Sequence, residues 1–198
     1  MKTVFVDVDS QLDFLYPAGA LYVPGAERIV PAIARLNQFA AGRGVPVIST
    51  TDAHAENDPE FAAWPPHCIS ATWGQHKAER TLLGKRVIIP NRDCDFALGG
   101  AQQIVVEKQT VDVFQAPNLA RVIECLGATD FVVYGVVTEI CVLFAARGLL
   151  KAGKQVTVVT DAVESLKSED SARALSEICS AGGRLATVGQ VLDLPDGP

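Results

Sequence analysis

Phe131-Val-Val-Tyr-Gly-Val-Val-Thr-Glu-Ile-Cys141 is the stretch whose reading decides the fold. A β-branched run reaches Gly135, the chain turns, and residues 139–152 then read as a helix stopped by Gly153. The segment is therefore strand, turn and helix, with a cysteine arriving in the helix's first turn. Backbone N–H groups and the helix dipole favour negative charge there, so the spacing predicts a thiol biased toward thiolate. Taken alone, the segment leaves a core-filling cysteine open as the ordinary alternative.

The same alternation continues in both directions. Strand-like runs at residues 4–8, 46–50, 104–107, 131–134, 156–160 and 185–188 alternate with helical patterns at 26–42, 116–126, 139–151 and 169–181. This predicts a single α/β domain over residues 1–198, a three-layer α/β/α sandwich around a central parallel sheet of about six strands. Residues 58–95 break the rhythm with Pro, Trp and charge, and are too long for an ordinary connection, which predicts an active-site excursion. The tail at 194–198 is expected to fray. The helix at 139–151 is apolar nearly all round, which predicts a core helix, with any apolar surface left nearby forming a homo-oligomer contact.

Composition narrows the partners. The 198 residues carry a net charge of −6 without a basic run, which argues against nucleic acid and anionic membrane and leaves small molecules. No apolar run approaches the roughly 20 residues that span a bilayer, and Met1-Lys-Thr leads into a strand and not a signal peptide, so a cytoplasmic location is expected. Five cysteines, an odd number with no CxxC spacing, indicate free thiols and no disulfide framework.

In an open parallel sheet ligands bind beyond the carboxyl ends of the strands. Those ends deliver Asp9, Gln11, Asp13 and Phe14, then Asp52 and His54, then Lys108, then Cys141. A thiol, a carboxylate able to take and return its proton, and an ammonium that steadies both make a nucleophilic set; an Asp–Lys ion pair beside an inert cysteine is the alternative. Asp52-Ala-His54, with His67 in Trp64-Pro-Pro-His67-Cys68, forms a second cluster. An oxygen and two imidazoles suit a metal with open positions, with Glu60 as a further ligand, although histidines also cap loops by hydrogen bonding.

Together these residues resemble the isochorismatase-like cysteine hydrolase superfamily, and in particular its nicotinamidase branch. Asp9-Ser-Gln-Leu-Asp-Phe14 fits the Asp-x-x-x-Asp-Phe signature after strand one, Lys108 falls on the family lysine, and Gly135-Val-Val-Thr-Glu-Ile-Cys141 follows the nucleophile motif with Glu139 where Asp is usual. The resemblance implies the strand order 3-2-1-4-5-6 and a catalytic set of Asp9, Lys108 and Cys141. It further implies an oxyanion hole from the N–H groups of Val137 and Cys141, and a non-proline cis peptide at Val136–Val137. Asp52, His54 and His67, with Glu60, would bind one divalent metal, zinc first, with manganese or iron also suited. The implied reaction converts nicotinamide to nicotinate and ammonia through a thioester, with Phe14 and Trp64 as walls for the flat ring. Trp73, in Ala71-Thr-Trp-Gly74, is expected near the pocket rim. Another small amide is the alternative substrate. Val4-Phe-Val-Asp-Val-Asp9 also resembles the start of a haloacid-dehalogenase-type phosphatase, but Gln11 stands where Thr is expected and no late acidic cluster follows. A metal-first amidohydrolase and a non-catalytic metabolite-binding protein complete the rivals.

Overall fold

The computed structural model describes residues 2–193; the tail expected to fray lies outside the described residues. Its seven strands are β1 (Thr3–Val8), β2 (Val47–Asp52), β3 (Arg86–Ile89), β4 (Gln103–Lys108), β5 (Asp130–Val136), β6 (Gln155–Glu164) and β7 (Arg184–Ala186). They form one sheet in the order β3-β4-β2-β1-β5-β6-β7, and every pairing is parallel. With β3 set aside, the order is the expected 3-2-1-4-5-6. The count of about six is corrected by β3, an edge strand inside the 58–95 excursion. Its four residues expose Arg86 and Ile88 and are too short to register as an alternating run.

The helices are α1 (Leu12–Leu15), α2 (Val30–Gly42), α3 (Leu119–Leu126), α4 (Leu143–Lys151), α5 (Ser168–Ser180) and α6 (Val188–Leu192). Because successive strand residues face opposite ways, β1 sends Val4, Val6 and Val8 to the layer of α3, α4 and α5, and Phe5 to the layer of α2 and α6. Side chains such as Ile33, Leu36 and Ile104 are completely buried, each stabilising the fold by about 1.5–3 kcal/mol. The expected 139–151 helix divides into a π-helical turn, Thr138–Val142, followed by α4. Leu143, Ala145, Ala146 and Leu149 of α4 are buried within the single chain, as expected for a core helix. Among the described residues the large apolar side chains that stay exposed are Trp73, Ile88, Leu166 and Leu185, of which Leu166 lies beside the turn at Glu139.

The chain leaves β1 toward β2 on one side and returns to β5 on the other, so a crevice opens beyond the carboxyl end of β1. Gly135 closes its floor: φ is +123°, and a Cβ there would stand 2.1 Å from the Val8 carbonyl oxygen. No helix among the described residues is long and apolar enough to cross a membrane, and all five cysteines are free thiols.

Candidate active site

Asp52 and Lys108 are register partners at the ends of β2 and β4, so their side chains emerge side by side. Asp9 follows β1 in a left-handed conformation (φ 48°), and Cys141 follows β5 in the π-helical turn after a cis Val136–Val137 peptide, where the resemblance expects one. The Lys108 ammonium stands at the junction: 3.0 Å from Asp9 Oδ2, 2.5 Å from Asp52 Oδ1 and 3.8 Å from Cys141 Sγ. All four residues are buried.

Charge and burial set the protonation states. Burial works against the Lys108 cation, but the Asp52 and Asp9 carboxylates outweigh it and hold its pKa well above the ordinary value. Burial also raises Asp9, against the pull of Lys108, and Asp52 at close range adds to the rise. For Asp52 burial is outweighed by Lys108 and by the nearby His67 imidazole, so it is held below its usual range. Cys141 is pushed well up by burial, Lys108 opposing and Asp9 reinforcing. The expected bias toward thiolate is therefore reversed. The cysteine lies within a buried π-helical turn and not at the open N-terminus of an α-helix, so desolvation outweighs the dipole.

On the other side of Asp52 the two imidazoles converge. His54 Nε2 lies 4.0 Å and His67 Nε2 3.8 Å from Asp52 Oδ2, and the donor atoms of the three residues all fall within 4.8 Å of one another. The opposite ring nitrogens have acceptors close by: Asp58 Oδ2 is 3.0 Å from His54 Nδ1, without hydrogen-bond alignment, and His67 Nδ1 is 2.7 Å from the Pro65 carbonyl. That arrangement leaves both Nε2 atoms facing Asp52. His54 Nε2 is buried without a hydrogen-bond partner among the described residues. A buried, orphaned nitrogen beside a carboxylate and a second imidazole fits a divalent metal's donor set. Glu60 stands outside this cluster; it lines the adjoining pocket, with its pKa raised by burial and by Asp52.

The pocket encloses about 400 Å³ of empty space, its open mouth included, between Phe14, Trp64, Val137 and Ile140, with Asp52, His67 and Cys141 also on its wall. The apolar walls suit one small flat ring. Trp73 does not reach it: the indole is exposed and lines a separate groove beside β3.

Supporting residues surround these groups; Gln11 and Asp13 are among the strand-end candidates, whereas Thr50 and Asp58 are not. Thr50 Oγ1 donates to Asp9 Oδ1 at 2.5 Å. The Gln11 amide donates to the Asp52 carbonyl (2.8 Å) and accepts from the Asp52 N–H (2.7 Å), fixing the end of β2. Asp13 accepts from the N–H of Cys68 at 2.7 Å, which anchors the segment carrying His67. Asp58 accepts from the Glu60 N–H at 2.9 Å while its other oxygen faces His54. For Thr50 and Asp58 only the hydrogen-bonding residue type was visible beforehand, and such types are common in loops.

Comparison with known proteins gives the family. The isochorismatase domain matches residues 3–89 and 90–190. The nicotinamidase of Escherichia coli is 26% identical, over 91% of this chain and 92% of its own length. Among solved structures, the pyrazinamidase of Pyrococcus horikoshii in complex with zinc is 28% identical with a TM-score of 0.79, covering 94% of this chain and 99% of the other. The Bacillus subtilis nicotinamidase is 26% identical with a TM-score of 0.80, covering 94% and 99%. With the domain match running through nearly all of the described residues, the chain belongs to the isochorismatase family.

Proposed function

We propose that this protein is a metal-assisted cysteine amidohydrolase that converts nicotinamide to nicotinate and ammonia. Its family and its nicotinamidase relatives make it a hydrolase of amide C–N bonds. The observation that carries the finer reading is Lys108, whose ammonium touches Asp9, Cys141 and Asp52 at once, so the nucleophile and the Asp52–His54–His67 cluster share one wall of one small pocket. A metal is not required to break an amide when a thiol is present. A divalent ion held by Asp52, His54 and His67, zinc by preference, would supply a Lewis-acid grip on a ring nitrogen and so orient the carboxamide.

The chain's own groups carry the bond-making steps. Asp9 takes the Cys141 proton as sulfur adds to the carboxamide carbon, which suits a thiol that rests protonated. The N–H groups of Val137 and Cys141 receive the developing oxyanion, and Lys108 stays cationic beside Asp9 and sulfur. Collapse breaks the C–N bond, Asp9 returns the proton to the leaving ammonia, and a thioester remains on Cys141. Asp9 then removes a proton from water, which attacks the thioester and releases nicotinate and the thiol. Phe14 and Trp64 flank the ring. Ammonia release from nicotinamide tests the reading. Cys141→Ala and Asp9→Asn should each lower turnover by roughly three orders of magnitude or more, since members of one catalytic unit fail together. A wild-type protein that leaves nicotinamide intact overturns the substrate assignment.

A further inference from the structure

Beyond the active pocket lies a second, more open groove of about 960 Å³, open solvent included, and the two share Trp64, Ile140 and Leu166 as their dividing wall. Leu166 is not a core residue; it is 41% exposed, so packing alone does not fix it. Its backbone does. The N–H groups of Leu166 and Lys167 donate to Glu139 Oε1 at 2.9 and 3.3 Å, and Thr138 Oγ1 donates to the Glu164 carbonyl at 2.9 Å. Two consecutive residues of the nucleophile turn thus hold the segment that follows β6, and that segment places Leu166 on the pocket wall.

We infer that Leu166 is the specificity-determining wall of the active pocket and that Glu139, through its carboxylate, is the residue that positions it. This rests on the amidase reading above and deepens it. With Leu166 in place the pocket ends at that wall; with its side chain removed, inner pocket and outer groove merge, and substrates enlarged by an alkyl or aryl group gain room. Glu139 does not touch the reacting atoms, and its effect passes through the position of Leu166.

The test compares Leu166→Ala, Glu139→Ala and Glu139→Gln with the wild type in two assays. The first is kcat/KM for nicotinamide against ring-alkylated and N-alkylated nicotinamides. The second is alkylation of the Cys141 thiol by iodoacetamide against the bulkier N-phenyl iodoacetamide. In it the Cys141 sulfur displaces iodide, the product is located by mass spectrometry, and the exposed Cys125 serves as internal reference. Leu166→Ala should shift both bulky-to-small ratios by about tenfold or more, the size expected when several methylenes leave a pocket wall. Glu139→Ala should shift them the same way, and Glu139→Gln, which keeps an acceptor oxygen, should stay near the wild type. Unchanged ratios in Leu166→Ala overturn the inference, and unchanged ratios in Glu139→Ala alone remove Glu139 from it. Should the wild type release no ammonia from nicotinamide, the substrate reading fails by itself, because the alkylation ratio still decides the role of Leu166.

Discussion

Asp58 shows how a single residue can govern a site without entering it. One oxygen stands 3.0 Å from His54 Nδ1 and the other accepts from the Glu60 N–H, so the carboxylate sets the ring's orientation and the turn beyond it. Burial alone would raise its pKa, but the Glu60 N–H and His54 outweigh it and hold the carboxylate below its usual range. Asp58→Ala should therefore weaken metal binding by about 10–100-fold, read by competition with a chromophoric chelator, with the thermal transition little changed. Unaltered affinity would mean that His54 needs no such partner. Asp9 carries a pH prediction. A base must be deprotonated to act, and burial raises the Asp9 pKa. The kcat/KM profile should thus fall, as pH drops, at values above the ordinary carboxylate range. An acid limb at or below that range contradicts the assignment of Asp9 as base. Asp9, Asp52, His54, Lys108 and Cys141 were legible because strand ends are where a parallel sheet puts its chemistry. Thr50 and Asp58 were not, because side-chain direction decides their roles and spacing does not encode it.

At the level of elements, the excursion is fastened to the sheet by charge. Lys77 Nζ lies 3.0 Å from Asp7 Oδ2 and donates to Ser10 Oγ at 2.6 Å, and Asp7 also accepts from Asn37 and Ser10, all of them buried. Removing the cation strands a carboxylate in the core. Lys77→Ala should lower stability by about 3–5 kcal/mol, measured as a drop in the urea midpoint. A change under about 1 kcal/mol would show that the neighbouring hydroxyls and amide suffice for Asp7. The 58–95 segment was recognisable as an excursion from its broken rhythm, yet β3 within it was not: Arg86-Val87-Ile88-Ile89 gains its strand character from pairing with β4. The π-helical turn at Thr138–Val142 was likewise read as ordinary helix, since its composition does not differ from one.

For the whole molecule, the strand order and the crevice at β1 followed from the alternation of runs together with the family resemblance, and both stand on a core spread over two faces of the sheet. The Asp52–His54–His67 cluster draws on the end of β2, the residues just after it and the excursion, so on the proposed reading a bound metal would orient substrate and not staple the fold. Chelation should abolish amidase activity while far-UV circular dichroism and the melting profile keep their folded character, and added zinc should restore turnover. Unfolding on chelation would assign the metal a structural role. Every step of the proposed reaction depends on the Cys141 sulfur as nucleophile. Rapid quenching during turnover of nicotinamide, followed by mass spectrometry of the peptide that contains Cys141, tests it most directly. A nicotinoyl thioester should appear on that peptide and decay as substrate is consumed. A Cys141→Ala protein that hydrolyses nicotinamide at the wild-type rate, with no adduct formed, would contradict it.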